Sequence, residues 1–241
     1  MSKIFITGSS DGIGLEAAKR LINLGHEVVL HARDKKKAKE LESKFNVKIL
    51  IGNLNNLEET KSLAEEINKQ ETFDTIIHNA GVFHEDKETI FTVNVLAPYI
   101  LTTLIKKPKQ LIYIGSNMHP QGSFDIEKLS TIKKVDYSTS KLLILMMSLA
   151  VARYWKDICV NTVDPGWVKT KMANYNAPDS LEDGSATQVW LASNDDLGFS
   201  GKYFYHLQET IYSKKADDVE IQDKLINIYE ELTGIRFPHN N

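Results

Sequence analysis

The run Lys3-Ile4-Phe5-Ile6-Thr7 passes directly into Gly8-Ser9-Ser10-Asp11-Gly12-Ile13-Gly14. An amphipathic stretch follows, with Leu15, Ala18, Leu21, Ile22 and Leu24 recurring up to Gly25. A short apolar run suits a buried strand, and the helical periodicity predicts a helix that a glycine ends. Between them, glycines let the backbone approach a ligand closely, while a helix N-terminus offers free N–H groups and a partial positive charge. Strand, glycine turn and helix together predict a cradle for the pyrophosphate of a dinucleotide. The spacing is G-x-x-x-G-x-G rather than the common G-x-G-x-x-G. Glycines that only shape a turn are the plainer alternative.

The rest of the chain repeats the alternation. Strands are predicted at 27–32, 47–51, 73–78, 110–115, 158–164 and 202–206. Helices are predicted at 35–45, 57–69, 88–105, 136–155 and 184–192. Short apolar strands separated by helices imply a parallel sheet covered on both faces, and right-handed crossovers make it doubly wound. The expected fold class is therefore α/β: a single Rossmann-type domain over residues 1–241, with no linker or repeat to divide it. A C-terminal helical extension at about 217–234 departs from the alternation. Val219, Leu225, Ile228 and Leu232 give it one apolar face, Gly234 ends it, and the tail after Ile235 is expected to fray.

Composition narrows the function classes. A formal net charge of -3 gives no electrostatic case for nucleic acid or an anionic membrane, and no apolar run reaches the length of a membrane span. Cys159 is the only cysteine, so no intramolecular disulfide forms. Ile158-Cys159-Val160 reads as a buried strand with a structural thiol. A reducing compartment follows, and with a first strand starting just after Met1 the expectation is a cytoplasmic protein without a signal peptide.

The chemistry is concentrated in Tyr137-Ser138-Thr139-Ser140-Lys141. Residues four apart share a helical face, so the phenol and the ammonium reach one cleft. A nearby cation favours the phenolate and is expected to lower the tyrosine's pKa from its reference of about 10. That would give a proton donor and acceptor usable near neutral pH.

Thr7-Gly8-x-x-x-Gly12-Ile13-Gly14, Asn79-Ala80-Gly81, Asn94, Ser116, Tyr137-x-x-x-Lys141 and Pro165-Gly166-Trp167-Val168-x-Thr170 occur in one order. The chain so resembles the short-chain dehydrogenase/reductase family, from about Lys3 to Tyr205. The resemblance implies hydride transfer between a nicotinamide and a carbonyl or alcohol substrate. It implies Tyr137 as proton carrier, Ser116 bonded to the substrate oxygen, and Lys141 on the tyrosine and the nicotinamide ribose. Asn94 would hold a water beside the lysine. Around the cofactor it implies the turn from Gly8 to Gly14, then Asn79, Ala80 and Gly81 near the adenosine ribose, Asn53 and Leu54 at the adenine, and Pro165, Gly166, Val168 and Thr170 at the nicotinamide end. His78 is expected to be structural. A catalytically silent protein that senses redox state on the same fold is the rival reading.

Cofactor choice is read at the end of the second strand. Ala32 stands where a carboxylate would select NAD, and Arg33 follows, so NADP(H) is favoured, with NAD(H) possible. Asp11 is a mild contrary sign, and Lys35-Lys36-Lys37 reads as a solvated helix face. His119 and the long segment before Tyr137 resemble the retinol-dehydrogenase-like branch, which implies a small or lipophilic substrate; His119 itself stays outside the catalytic set. Met118, Trp167 and Met172 are expected to line the pocket, under a mobile lid from about Met172 to Leu181. The stretch Leu142–Val151 is apolar nearly all round and needs cover on every side. A homodimer or homotetramer is expected to supply it, or else a C-terminal segment folded back.

Overall fold

The computed structural model describes residues 1–128, 133–194 and 197–238. Eight strands form one sheet in the order β3-β2-β1-β4-β5-β6-β7-β8. They are β1 (Lys3–Ile6), β2 (Glu27–Ala32), β3 (Ile49–Ile51), β4 (Thr75–His78), β5 (Gln110–Ile114), β6 (Cys159–Asp164), β7 (Lys202–Tyr205) and β8 (Gln208–Glu209). All neighbours are parallel except β8, which runs antiparallel to β7. The helices are α1 (Gly12–Asn23), α2 (Lys35–Glu42), α3 (Leu57–Asn68), α4 (Lys87–Phe91), α5 (Ala97–Leu104), α6 (Tyr137–Tyr154), α7 (Leu181–Ala192) and α8 (Val219–Thr233).

Alternation along each strand sorts the core into two layers. Ile4 and Ile6 join Ala17, Ala18 and Leu21 of α1, Leu41 of α2 and Val189 of α7 on one face. Phe5 points the other way, into a core shared with Leu63 of α3, Leu101 of α5 and Leu143 of α6. Chain order reverses between β1 and β4, the place where an open α/β sheet leaves a crevice at its carboxyl edge. The doubly wound parallel architecture expected from the alternation is the one observed.

Several local expectations are corrected. The helix predicted over 88–105 is interrupted by a π-helical turn at Thr92–Leu96, an insertion that re-aims side chains and recurs at functional sites. The hairpin to β8 was not predicted, because its turn residues His206 and Leu207 take φ of 46° and 66° without the glycine that usually announces such a turn. Cys159 begins β6 and is only half-buried.

The apolar helix α6 is covered within the chain. Leu225, Ile226 and Tyr229 of α8 are buried in the same core as Leu142–Met147, and Asp223 bonds both Arg153 and Tyr154 at the end of α6. Residues 235–238 dock as well: Trp155 Nε1 donates to the Pro238 carbonyl at 2.8 Å, and Phe237 stacks on Trp155. The expected fraying after Ile235 therefore does not occur through Pro238; the last three residues lie outside the described ones. The fold-back alternative supplies the cover, which removes the reason for expecting a partner subunit there. Among the described residues no helix is long and apolar enough to cross a membrane.

Candidate active site

The glycine turn is shaped by what stands behind it. Gly8 has φ of 64°, and a Cβ there would lie 2.8 Å from Ala80 Cα. At Gly14 a Cβ would lie 2.3 Å from Asn79 Nδ2. Asn79 braces the turn by donating from Nδ2 to the Thr7 carbonyl at 2.9 Å, while Thr7 Oγ1 accepts the N–H groups of Asn79 and Ala80. Asn79 is thus bonded to the turn itself. Ser9 is corrected: the residue is fully buried, its hydroxyl donating to Ile6 O and accepting from His31 N, so its side chain does not face a ligand. Ser10 is half-buried.

His31 was missed from sequence. Its Nδ1 accepts the Gly8 N–H at 2.9 Å, which leaves the proton on Nε2 to donate to Gly52 O at 2.8 Å. Burial lowers its pKa to about 4, so the ring stays neutral and ties the glycine turn to the end of β3. A histidine inside the apolar run Val28-Val29-Leu30-His31-Ala32 was the available signal. Asp11 caps α1 by accepting from Gly12 N and pairs with Lys171. Burial raises the Asp11 pKa, but the Lys171 and Gly12 bonds outweigh it and hold the carboxyl below its usual value.

At the neighbouring strand ends Arg33 is exposed, its Nε 3.5 Å from Asp34 Oδ2. Asn53 Oδ1 accepts from Asn55 N, and Asn53 N donates to Glu59. Leu54 is corrected: it is buried in the core with Leu63 and Phe73, so its side chain does not face a ligand.

The four residues expected to be catalytic come from three separate elements. Tyr137 opens α6 behind its cap Asp136, and Lys141 follows one turn later, buried. Lys141 Nζ donates to the Ile114 carbonyl at 2.7 Å and sits 5.4 Å from the Tyr137 ring centre. Ser116 follows β5, its Oγ accepting from Met118 N at 3.2 Å. Asn94 lies in the π turn; its Oδ1 accepts from Val82 N, and its Nδ2 donates to Val82 O and Ser140 Oγ. A Cβ on Gly81 would stand 3.4 Å from Asn94 Oδ1 and 3.7 Å from Lys141 Nζ, which puts all three around one point.

The expected fall in the Tyr137 pKa is overturned. Burial pushes it up to about 12, with the Ser116 hydrogen bond opposing and Asp164 adding to the rise. The lysine does not counter this, because it gives up its own proton before the phenol does. Burial brings the Lys141 pKa down to about 8, against the pull of Asp164. Asp164, which ends β6 and is 4% exposed, was not foreseen. Burial raises its pKa, although Gly166 N donates to Oδ1 and the charges of His119, Lys141 and His206 pull the other way.

The rim comes from the segment after β6. Gly166 has φ of 83°, and a Cβ there would lie 2.4 Å from Asp179 Oδ2. That oxygen accepts the Trp167 N–H, so Pro165 and Gly166 turn tightly. Val168 is buried beside Gly184 and bridges to Asp179, so its side chain packs away from the cleft. Thr170 Cγ2 lies 3.6 Å from a Cβ placed on Gly12. Phe83 meets the Tyr137 ring edge-on at 4.6 Å, and His84 bonds the Met172 carbonyl at 3.2 Å. Trp167 and Met172 are exposed, Met118 half-buried, and His78 is core, stacked on Tyr113.

These residues fit a dinucleotide. Gly8 and Gly12 put no side chain of their own on the turn, and the N–H groups of Ile13 and Gly14 in the first turn of α1 precede any helical acceptor. Residues 79–81 lead from that turn to the tetrad: Asn79 and Ala80 back the glycines, and Gly81 stands against Asn94 and Lys141.

The family model for short chain dehydrogenases matches residues 2–180. The short-chain dehydrogenase chyC of Penicillium rubens is 37% identical, covering 99% of this chain and 100% of that protein. Mouse retinol dehydrogenase 14 is 26% identical, over 96% of this chain and 86% of its own length. A protein from Escherichia coli CFT073 solved in complex with NADPH superposes with a TM-score of 0.69 at 25% identity, covering 86% of this chain and 97% of that one. With its glycine turn, its tetrad and a full-length relative at that identity, the chain belongs to the short-chain dehydrogenase family of oxidoreductases.

Proposed function

We propose that this oxidoreductase is NADP-dependent and interconverts a carbonyl and an alcohol on a small or lipophilic substrate. The observation that carries the reading is the convergence of Ser116, Tyr137 and Lys141 at the carboxyl edge of β5, with Asn94 bracing the helix that bears two of them. When bound, the nicotinamide cofactor supplies the hydride chemistry. The hydroxyls of Ser116 and Tyr137 hold the substrate oxygen, and Tyr137, protonated at neutral pH, gives its proton to that oxygen during reduction. Lys141 supplies positive charge beside the ring and, once a ribose is present, a hydrogen-bond donor.

Gly8, Ser9, Ser10, Asp11, Gly12, Ile13 and Gly14 are assigned to the pyrophosphate, mostly through backbone, and Asn79, Ala80 and Gly81 to the wall beside it. Arg33, exposed at the end of β2, is assigned to the 2′-phosphate, a preference supported by the absence of a carboxylate at Ala32. The NADPH complex of the Escherichia coli protein supports the same cofactor class. Phe83, Trp167 and Met172 give the mouth its apolar lining. A cytoplasmic setting belongs to the same proposal and rests on the lone thiol.

The test is turnover of a panel of aldehydes and ketones with NADPH, followed at the nicotinamide absorbance. Substrate-dependent oxidation of NADPH is expected; a protein that binds NADPH yet consumes none across the panel would be the silent sensor instead.

A further inference from the structure

The imidazole of His119 is buried and bonded through both nitrogens. Its Nδ1 lies 2.7 Å from the Ser116 carbonyl, and its Nε2 lies 2.9 Å from the backbone nitrogen of Ser213. A backbone amide only donates, so Nε2 is the acceptor and the proton is on Nδ1, aimed at Ser116. One neutral tautomer satisfies both bonds. The His119 N–H donates to the same Ser116 carbonyl at 3.1 Å. Tyr203 packs on the ring at 5.2 Å.

The same loop is held from the far side at further points. Lys215 Nζ donates to the carbonyls of Pro120 and Gly122, each at 3.3 Å. Gln222 of α8 bonds the Ala216 carbonyl at 2.7 Å, which fixes residues 213–217 to the C-terminal helix. The loop carrying Ser116 is therefore bridged to a segment 94 residues away through one side chain.

We propose that His119 is a positioning residue for Ser116. Neutral, with its proton on Nδ1, it locks the Ser116 backbone to Ser213, so that the serine hydroxyl meets the substrate oxygen in one orientation. This rests on the proposed role of Ser116. The charged and titratable groups facing the ring are Asp164 from β6, Tyr203 from β7 and Lys215 from the C-terminal segment. Burial keeps the ring below the ordinary histidine value of 6.5 despite Asp164 and the Ser116 bond. Protonation would set an N–H against the Ser213 N–H and break the lock.

Three variants separate the two bonds. His119→Asn keeps an amide near Nδ1, His119→Gln places one near Nε2, and His119→Phe keeps only the ring. In His119→Phe, kcat should fall about 10–100-fold, the scale of a slightly misplaced catalytic group, and His119→Asn should lose less. NADPH Kd should stay within about twofold throughout, because the ring is remote from the glycine turn. Wild-type kcat should show an acid limb below the usual histidine range that is missing in His119→Asn. Amide hydrogen exchange at Ser213 should speed up in His119→Phe and His119→Asn but not in His119→Gln. Wild-type kcat in His119→Phe, or a parallel loss of NADPH affinity, overturns the proposal. If the wild type consumes no NADPH with any carbonyl, the proposed function fails. The exchange arm still decides the lock, which unchanged Ser213 exchange in His119→Phe would refute.

Discussion

The carboxylate of Asp11, which caps α1, is paired with the ammonium of Lys171, 160 residues further along the chain. The pair straps the segment after β6 across the glycine turn, where Thr170 also approaches Gly12. A cofactor seated on the glycine turn as proposed would pass this strap on entering and leaving. Both partners are largely exposed, so the contact is weak and salt-sensitive. Lys171→Ala should therefore raise the NADPH dissociation rate by about 2–5-fold, with an unchanged thermal midpoint. Stopped-flow fluorescence reads the rate, and an identical rate in both proteins would show that the strap does not gate the site.

Tyr137 carries the second prediction. Its pKa near 12 keeps the proton on the phenol throughout the neutral range. Without a change on cofactor binding, carbonyl reduction should be flat around neutral pH and alcohol oxidation should climb as pH rises. Tyr137→Phe should cut kcat by about 10²–10⁴-fold, the usual yield of a positioned acid or base, and leave NADPH affinity intact. A variant that retained wild-type kcat would remove Tyr137 from the mechanism.

Lys141 links catalysis to stability. Its pKa falls from 10.5 to about 8 on folding, so between those values the unfolded chain holds the extra proton. Stability should then rise with pH through that window, and the cost of the buried charge is fully present below it. Lys141→Met should be inactive yet more stable at pH 7 by about 1–3 kcal/mol, allowing for the lost bond to Ile114. Urea titrations at neutral and alkaline pH check this: the gain should shrink at high pH, and equal gains at both would count against the assignment.

The glycine turn offers a contrast between neighbours. Gly8→Ala drives a methyl into the Ala80 backbone at positive φ and should destabilise the fold by about 3 kcal/mol or more. Gly12→Ala meets only Thr170 at 3.6 Å and should cost about 1–2 kcal/mol from backbone conformation alone, while weakening NADPH. Denaturation midpoints should place Gly8→Ala below Gly12→Ala, and equal midpoints would count against the close approach of Gly8 to Ala80.

Arg33→Ala is expected to weaken NADPH by about 10–100-fold, the loss of one or two charge-assisted bonds, with NADH nearly unaffected. Equal losses for both cofactors would defeat the 2′-phosphate assignment.

Sequence alone determined the alternation of strand and helix, the glycine turn and the tyrosine–lysine spacing, because each is a local pattern with a fixed period or a special backbone requirement. Ser116 and Asn94 were singled out by their order along the chain, which the family resemblance made meaningful. Only the tertiary structure decided which side chains face the cleft. Ser9 and Leu54 turn inward because neighbouring strands and the core claim them. The pKa of Tyr137 rises rather than falls, since the burial that drives it is a consequence of packing. His31, Asp164 and the two-sided bonding of His119 depend on contacts between residues far apart in the chain, to which no local period points. The cover of α6 by α8 was equally undecided, because an apolar helix states that it needs partners and leaves their source to the fold.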